Sequence, residues 1–471
     1  MRRSSLSADE KRRKADAAGD NSELGLFGAL DTTPALDRAT SDHAWLQALL
    51  DFEAGLARAQ AEAGLIPAPA ALAIEGRCHA ENFDLERLGR GAPKTGNPVL
   101  PMVRALMDQL PDEAATWVHW GATSQDAMDT AMMLVAKRSS KLLRSDLDGA
   151  GRAAAELAER HRGTLQVGRT LLQHAVPRTF GLKAAEWLIS ILEVRGILTS
   201  LEENGLAVQL GGAAGTLASL EGSGPQVVGL LARHLQLAEP TLPWHTDRVR
   251  PAQLASALCL VAGVAAKIAQ DVVLLSQTEV GELSEPESDG AGGSSAMPQK
   301  RNAAGSVAIV ASYRRIAGLA SVILGGMAQE LERATGDWQA EWTTLTAMLR
   351  LSGGVTNRLC YLLDGLQVDK ASMSANLSLT RGAVMAERVA LELSRRQGRG
   401  PARRTVEEAS RRSAANSTGL RDELANDPQA SRLLGSAGLD ELFEPATYLG
   451  ATQELIDRAL ALRPGQPQED A

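Results

Sequence analysis

Between Leu254 and Leu275 the apolar residues fall at Leu254, Leu258, Val261, Ala265, Ile268, Val272 and Leu275, in alternating steps of four and three. A strand would need a period of two, so the spacing selects a helix. A seam of this length belongs to a long helix packed at a shallow angle in a bundle. Small residues on its other faces (Ala255, Ala257, Ala262, Gly263, Ala266, Ala269) admit close neighbours on more than one side, as in a bundle shared between subunits. Composition agrees: Ala and Leu are abundant and aromatics make up only 3%. That mix favours helix, since strands draw on β-branched and aromatic residues. Helical stripes also run through Trp45–Leu56, from Thr123 to about Arg162, through Leu182–Leu192, and over Val307–Met327 and Leu345–Leu366. The expected fold class is all-α.

Breaks in these patterns divide the 471 residues. Residues 1–22 are charged and poor in apolar side chains, and read as a disordered tail. A helical N-terminal domain is expected over 23–115, a central long-helix bundle over 116–366, and a C-terminal domain of shorter helices over 367–471. Arg395, Arg396, Arg399, Arg403 and Arg404 flank Gly398–Pro401 and read as a solvated loop.

The formal charge of −8 leaves no footprint for nucleic acid. Cys78, Cys259 and Cys360 are too far apart for a disulfide framework or zinc spacing, and the seven histidines are scattered without a ligand set. No metal or cofactor is expected. The Gly211–Thr216 loop lacks the spacing of a dinucleotide fingerprint. The opening Met-Arg-Arg stretch lacks the apolar region that a signal peptide needs, and the apolar run Leu258–Ala266 is cut short by Lys267. The default is therefore a cytoplasmic protein with no membrane partner.

Three polar islands interrupt the helices. The longest is a Gly/Pro-punctuated loop over 281–305 that holds Gly293-Ser294-Ser295-Ala296-Met297-Pro298-Gln299-Lys300-Arg301-Asn302. Loops longer than about 12–15 residues are commonly functional or disordered. Two hydroxyls, an amide and two cations so close together favour function. The second island is His119-Trp120-Gly121-Ala122-Thr123-Ser124-Gln125-Asp126, at the start of a long helix. There Thr123 and Ser124 fit an N-cap and equally an anion site, while Asp126 suits the helix dipole. The third is Gly168-Arg169-Thr170-Leu171-Leu172-Gln173-His174, closed by Pro177. Lys300, Arg301 and Arg169, together with the hydroxyl pairs, ask for an anion with more than one carboxylate.

The 293–302 segment resembles the signature of the fumarase/aspartase superfamily, which includes the argininosuccinate and adenylosuccinate lyases. The 123–126 and 168–173 islands resemble its other two site regions in the same order, and the likeness covers roughly residues 25–460. It implies an all-helical, three-domain subunit and a homotetramer built on a central helical bundle, each active site drawing on three chains. The implied reaction is addition or elimination next to a carboxylate, through a carbanion stabilised as an aci-carboxylate. Carried over to this chain, Ser294 and Lys300 are catalytic. Asn302, Arg301, Ser295, Met297, Thr123, Ser124, Gln125, Arg169, Thr170, Gln173 and Asn97 would bind substrate. His119 and His174 each read first as structural histidines, with His119 also a candidate for substrate contact.

Two positions depart from the superfamily pattern. Ala303 replaces a proline, a minor change. Leu171 stands where members that expel an amine or hydroxyl carry a histidine to protonate the leaving group. Leucine has no proton to give, but a carboxylate leaving group with a pKa of about 4 needs none. The chain thus resembles the branch that closes lactones, the 3-carboxy-cis,cis-muconate cycloisomerases of protocatechuate breakdown. Gly168–Gln173, Gly211–Thr216 and Trp338-Gln339-Ala340-Glu341-Trp342 carry that likeness. The expected substrate is a small tricarboxylate. An adenylosuccinate-type lyase is the enzymatic alternative, with His174 taking the missing acid's place, and a catalytically silent helical tetramer is the non-enzymatic one.

Overall fold

The computed structural model describes residues 25–286, 297 and 300–463. Ser294 and Ser295, the hydroxyl pair of the signature segment, lie outside the described residues. Helix supplies nearly all of the regular structure. In chain order the main elements are α1 (Asp42–Glu62), α2 (Leu85–Thr95), α3 (Val99–Met107) and α4 (Ser124–Arg160). A hairpin of β1 (Leu165–Thr170) and β2 (Gln173–Thr179) follows, then α5 (Phe180–Ser200), α6 (Gly224–Leu235), α7 (Val249–Leu275), α8 (Ala304–Gly325) and α9 (Asp337–Asp364). The chain closes with α10 (Lys370–Ser378), α11 (Ala386–Gln397), α12 (Arg399–Asn416) and shorter helices. Besides the hairpin, β3 (Leu283–Ser284) pairs antiparallel with β4 (Gln367–Val368).

The seam that identified α7 is buried along its whole length: Leu254, Leu258, Val261, Ala265, Ile268, Val272 and Leu275 are each at most 5% exposed. Ala255, Ala257, Ala262, Ala266 and Ala269 are buried as well, so the helix is enclosed on more than one side. By length and composition α7 and α8 would each pass as a membrane span, a test that the core helix of a soluble protein also meets. Lys267 and Asp271 both fall within α7.

Two compact units partition the chain. The first comprises residues up to Asp146 with Val194–Ala266 and Ala308–Arg358; the second comprises Leu147–Glu193, Lys267–Val307 and everything from Leu359. In the first unit, Ser41 caps α1, its Oγ accepting from the Ala44 N–H at 3.2 Å. The stripe Leu46, Leu49, Leu50, Phe52 and Leu56 is buried, and α6 packs against the same helix. In the second unit, Val389 and Leu393 of α11 meet Ala402, Val406 and Ala409 of α12, with Leu420, Leu424 and Leu439, in one apolar cluster. The arginines expected in a loop here are exposed, but they lie on α11 and α12, separated only by Gly398 at φ 85°. Glycine alone turns the chain there; the flanking arginines are good helix formers.

The third polar island forms a hairpin stem and its turn. Leu165, Gln166 and Val167 pair with Thr179, Arg178 and Pro177, and Arg169 and Thr170 with His174 and Gln173. The register shifts between Val167 and Arg169, and Gly168 occupies the shift. A Cβ on Gly168 would lie 2.9 Å from the Val176 carbonyl oxygen, so only glycine fits.

Candidate functional site

The first unit gathers three of the stretches singled out in the sequence around the N-terminus of α4. Asp126, in the first turn, is fully buried. Its Oδ2 accepts from the Thr123 N–H at 3.0 Å, which closes the helix end in the manner of a capping box. Its carboxylate also accepts the N–H groups of Gly211 and Gly212, both at 3.0 Å, and lies 2.7 Å from His245 Nε2. One carboxylate thereby joins the Thr123 turn to the Gly211–Thr216 loop. The loop sequence follows from the fit: a Cβ on Gly211 would come within 2.8 Å of His245 and Pro243, and Gly212 has φ 67°.

One turn further along α4, Asp129 is 1% exposed and binds Arg248, at 2.8 Å to Nη1 and 3.0 Å to Nη2. Arg248 is itself 1% exposed and also grips Glu341, at 3.0 and 2.5 Å. The Trp338 indole donates to Asp129 at 3.0 Å, and Gln329 donates to Glu341 at 3.3 Å. Trp338 stacks edge-on with Trp342, 4.9 Å between centroids. Burial alone would lower the Arg248 pKa, but Asp129 and Glu341 outweigh it and raise it. Burial pushes the Glu341 carboxyl up, partly offset by its bonds to Arg248. From the loop before α9, Arg333 donates to Thr123 Oγ1 at 3.0 Å and to the Ala213 carbonyl at 3.1 Å.

His119 has φ 59°, a left-handed conformation uncommon outside glycine but one that histidine adopts more readily than most residues. Its Nδ1 lies 2.7 Å from Oε1 of Glu53, a carboxylate 1% exposed on α1. Desolvation would depress the His119 pKa, yet the Glu53 charge, its hydrogen bond and Asp126 together raise it. Gln125 is fully buried and its amide donates to the His245 carbonyl at 2.8 Å and to Asp129 at 3.3 Å. Ser124 begins α4 and is partly exposed. Asn97 bridges α2 and α3: its Oδ1 accepts the Val99 N–H at 3.0 Å and its carbonyl accepts from Thr95 Oγ1 at 2.7 Å.

The second unit holds the remaining described candidates. Arg169 is not a free cation. Its guanidinium donates to Glu282 at 2.6 and 3.1 Å, and Glu282 is fully buried. Gln166 at 2.7 Å and Asn376 of α10 at 2.8 Å also donate to that carboxylate. Thr170 and Gln173 face each other across the end of the hairpin, both exposed. Between them Leu171 (φ 50°) and Leu172 (φ 64°) form the turn, 97% and 69% exposed. His174 Nδ1 is buried without a partner, and burial followed by the Arg169 charge lowers its pKa.

Met297, Lys300, Arg301 and Asn302 are exposed. The Lys300 N–H donates to the Met297 carbonyl at 3.0 Å and that of Ala304 to Asn302 at 2.9 Å. Glu285 reaches the N-terminus of α8, accepting the Gly305 and Ser306 N–H groups at 3.0 and 2.7 Å and Ser306 Oγ at 2.6 Å. It therefore ties the residue ahead of the signature segment to the helix that follows it. Among the described residues no three His, Cys, Asp or Glu side chains cluster as a metal site requires.

Glu53, Asp129, Arg248, Arg333, His245, Glu282 and Glu285 were not singled out from sequence, and Glu341 was named only within the Trp338–Trp342 stretch. A weak signal existed for two of them: Glu53 and Asp129 are charges set among apolar residues on a helix. Nothing local marked the others.

A family model for lyases matches residues 29–318, and one for the adenylosuccinate lyase C-terminus matches residues 382–459. A 3-carboxy-cis,cis-muconate cycloisomerase from Bradyrhizobium diazoefficiens is 44% identical over 438 residues, 92% of this chain and 97% of that protein. A nitrosuccinate lyase from Streptomyces davaonensis is 42% identical over 449 residues, covering 93% and 94% of the two chains. The crystal structure of 3-carboxy-cis,cis-muconate lactonizing enzyme from Pseudomonas putida superimposes with a TM-score of 0.86 at 41% identity, covering 93% of this chain and 98% of that one.

Proposed function

The chain belongs to the lyase family of the fumarase/aspartase superfamily, and from that membership we propose that it converts 3-carboxy-cis,cis-muconate to 4-carboxymuconolactone in protocatechuate catabolism. The observation that carries this reading is Leu171, an apolar side chain at the hairpin tip where amine- and hydroxyl-expelling members place an acid. In the lactone-forming direction one substrate carboxylate adds to the conjugated double bond, forming the ring C–O bond. The electron pair moves onto the carbon next to another carboxylate. Lys300 and Asn302 hold that carboxylate as its charge grows, and the carbanion then takes a proton from Ser294 or Lys300. In reverse the leaving group is a carboxylate, which departs without protonation.

His174 is a poor substitute acid for an adenylosuccinate-type elimination. Burial and then the Arg169 charge lower its pKa, which disfavours the protonated form an acid needs, and its Nδ1 is buried. The similarity to a nitrosuccinate lyase supports a second reading, since nitrite also leaves as a stable anion and fits a site without an acid equally well. We read the active protein as a cytoplasmic homotetramer whose sites combine residues of three chains, with the three-domain division described above.

The test is loss of diene absorbance with purified protein and 3-carboxy-cis,cis-muconate, run beside nitrosuccinate and adenylosuccinate. Turnover of the muconate to its lactone, with Leu171→Ala within about tenfold of wild type, is expected because no acid is being removed. Nitrite release with no muconate turnover would transfer the assignment to the second reading. Full activity in Ser294→Ala would remove the serine from the mechanism.

A further inference from the structure

The hairpin turn and the Glu282 cluster belong together. Two-residue hairpin turns with both φ positive favour Asn-Gly, because a side chain beyond Cβ is strained there. Here both positions are leucine, at φ 50° and 64°. Their side chains are exposed, so no burial within this chain offsets the strain. The stem beneath must hold the turn. Arg169, two residues before it, is fixed by paired hydrogen bonds to fully buried Glu282, which also takes Gln166 from the same strand and Asn376 from α10. The register shift at Gly168 lies immediately before Arg169, where a bulge re-aims a strand's side chain. Opposite Arg169, His174 Nδ1 has no partner, so the opposing side chain adds no matching bond through that atom.

We infer that Glu282 is a positioning residue: by clamping Arg169 it holds the Leu171–Leu172 turn in its left-handed form and so fixes where Leu171 stands. Arg169 then serves the turn, with its charge matched inside the protein, and is not a reader of substrate. The inference deepens the proposed function, because it takes Leu171 as the residue occupying the position of the absent acid.

The test combines hydrogen exchange with kinetics on the full chain. Glu282→Gln is expected to cost the 165–179 amides about tenfold or more in protection. It should lower kcat by less than about tenfold, no more than Leu171→Ala does, with KM changed by less than about threefold. Adding Leu172→Gly relaxes the turn while keeping Leu171, and should recover most of the protection and part of kcat. Arg169→Gln should reproduce the Glu282→Gln effect, and the double variant should be no worse than either single one; this uncharged pair also serves if Glu282→Gln alone fails to fold. Unchanged hairpin protection in Glu282→Gln, or no recovery on adding Leu172→Gly, would overturn the inference. Hydrogen exchange needs no substrate. A clamp that behaves as expected in a protein inactive on the muconate would therefore reject the cycloisomerase reading and keep the clamp.

Discussion

Removing Arg248 isolates the largest electrostatic commitment in the first unit. In Arg248→Met the stem is retained and the guanidinium lost, leaving Asp129 and Glu341, each 1% exposed, without their shared cation. Breaking a buried ion pair costs about 3–5 kcal/mol. The two carboxylates do not fare equally. Asp129 keeps the Trp338 indole at 3.0 Å and amides of Gln125 and Gln209 at 3.3 and 3.4 Å, whereas among the described residues Glu341 keeps Gln329 alone, at 3.3 Å. Glu341, already raised by burial, should therefore take up a proton in the variant. Protonating a carboxyl of ordinary pKa near 4.3 at pH 7 costs about 3.7 kcal/mol, at 1.36 kcal/mol per unit, which agrees with the mutational range. The sign follows from linkage. In the variant the folded state binds a proton that the unfolded state releases, so stability falls as pH rises above the unfolded pKa. The deficit against wild type should accordingly shrink by about 2.7 kcal/mol between pH 7.5 and pH 5.5. Urea unfolding at fixed protein concentration, at both pH values, measures it. A deficit that is independent of pH, or below about 1 kcal/mol at pH 7.5, would refute the assignment of Arg248 as the counter-charge for two ionised groups.

Two further outcomes follow from the same geometry. The His119–Glu53 pair raises the histidine's pKa, so its stabilisation is complete below the unfolded value near 6.5 and is lost as pH rises through the folded one. Glu53→Gln should lower the thermal midpoint more at pH 6 than at pH 9, by the equivalent of about 1.5–3 kcal/mol, and equal losses at both would count against the charged pair. Glu285→Ala removes three bonds at the start of α8, and should cost about 1–3 kcal/mol of stability and raise KM through the adjoining Lys300–Asn302 segment. An unchanged midpoint and KM would show that this end of the helix finds other acceptors.

What could be read in the chain and what could not divide along a physical line. The α7 seam was legible because helix burial repeats every three or four residues, and seven residues in step are hard to produce otherwise. Thr123 and Asp126 were legible as a helix start because capping acts within one turn. Arg169 reads from sequence as an available cation, since it stands in a polar island. Its partner Glu282 stands 113 residues on, and nothing near Arg169 records that the charge is matched. Arg248 is harder still: it meets Asp129 and Glu341 across 119 and 93 residues, from a segment with no periodic pattern of its own. The hairpin escaped notice for the opposite reason. Its turn breaks the local rule, having leucines where Asn-Gly would have announced it. A turn that its own sequence does not favour must be held by something distant. In this chain the same buried carboxylate, Glu282, accounts both for the arginine that looked free and for the turn that did not look like one.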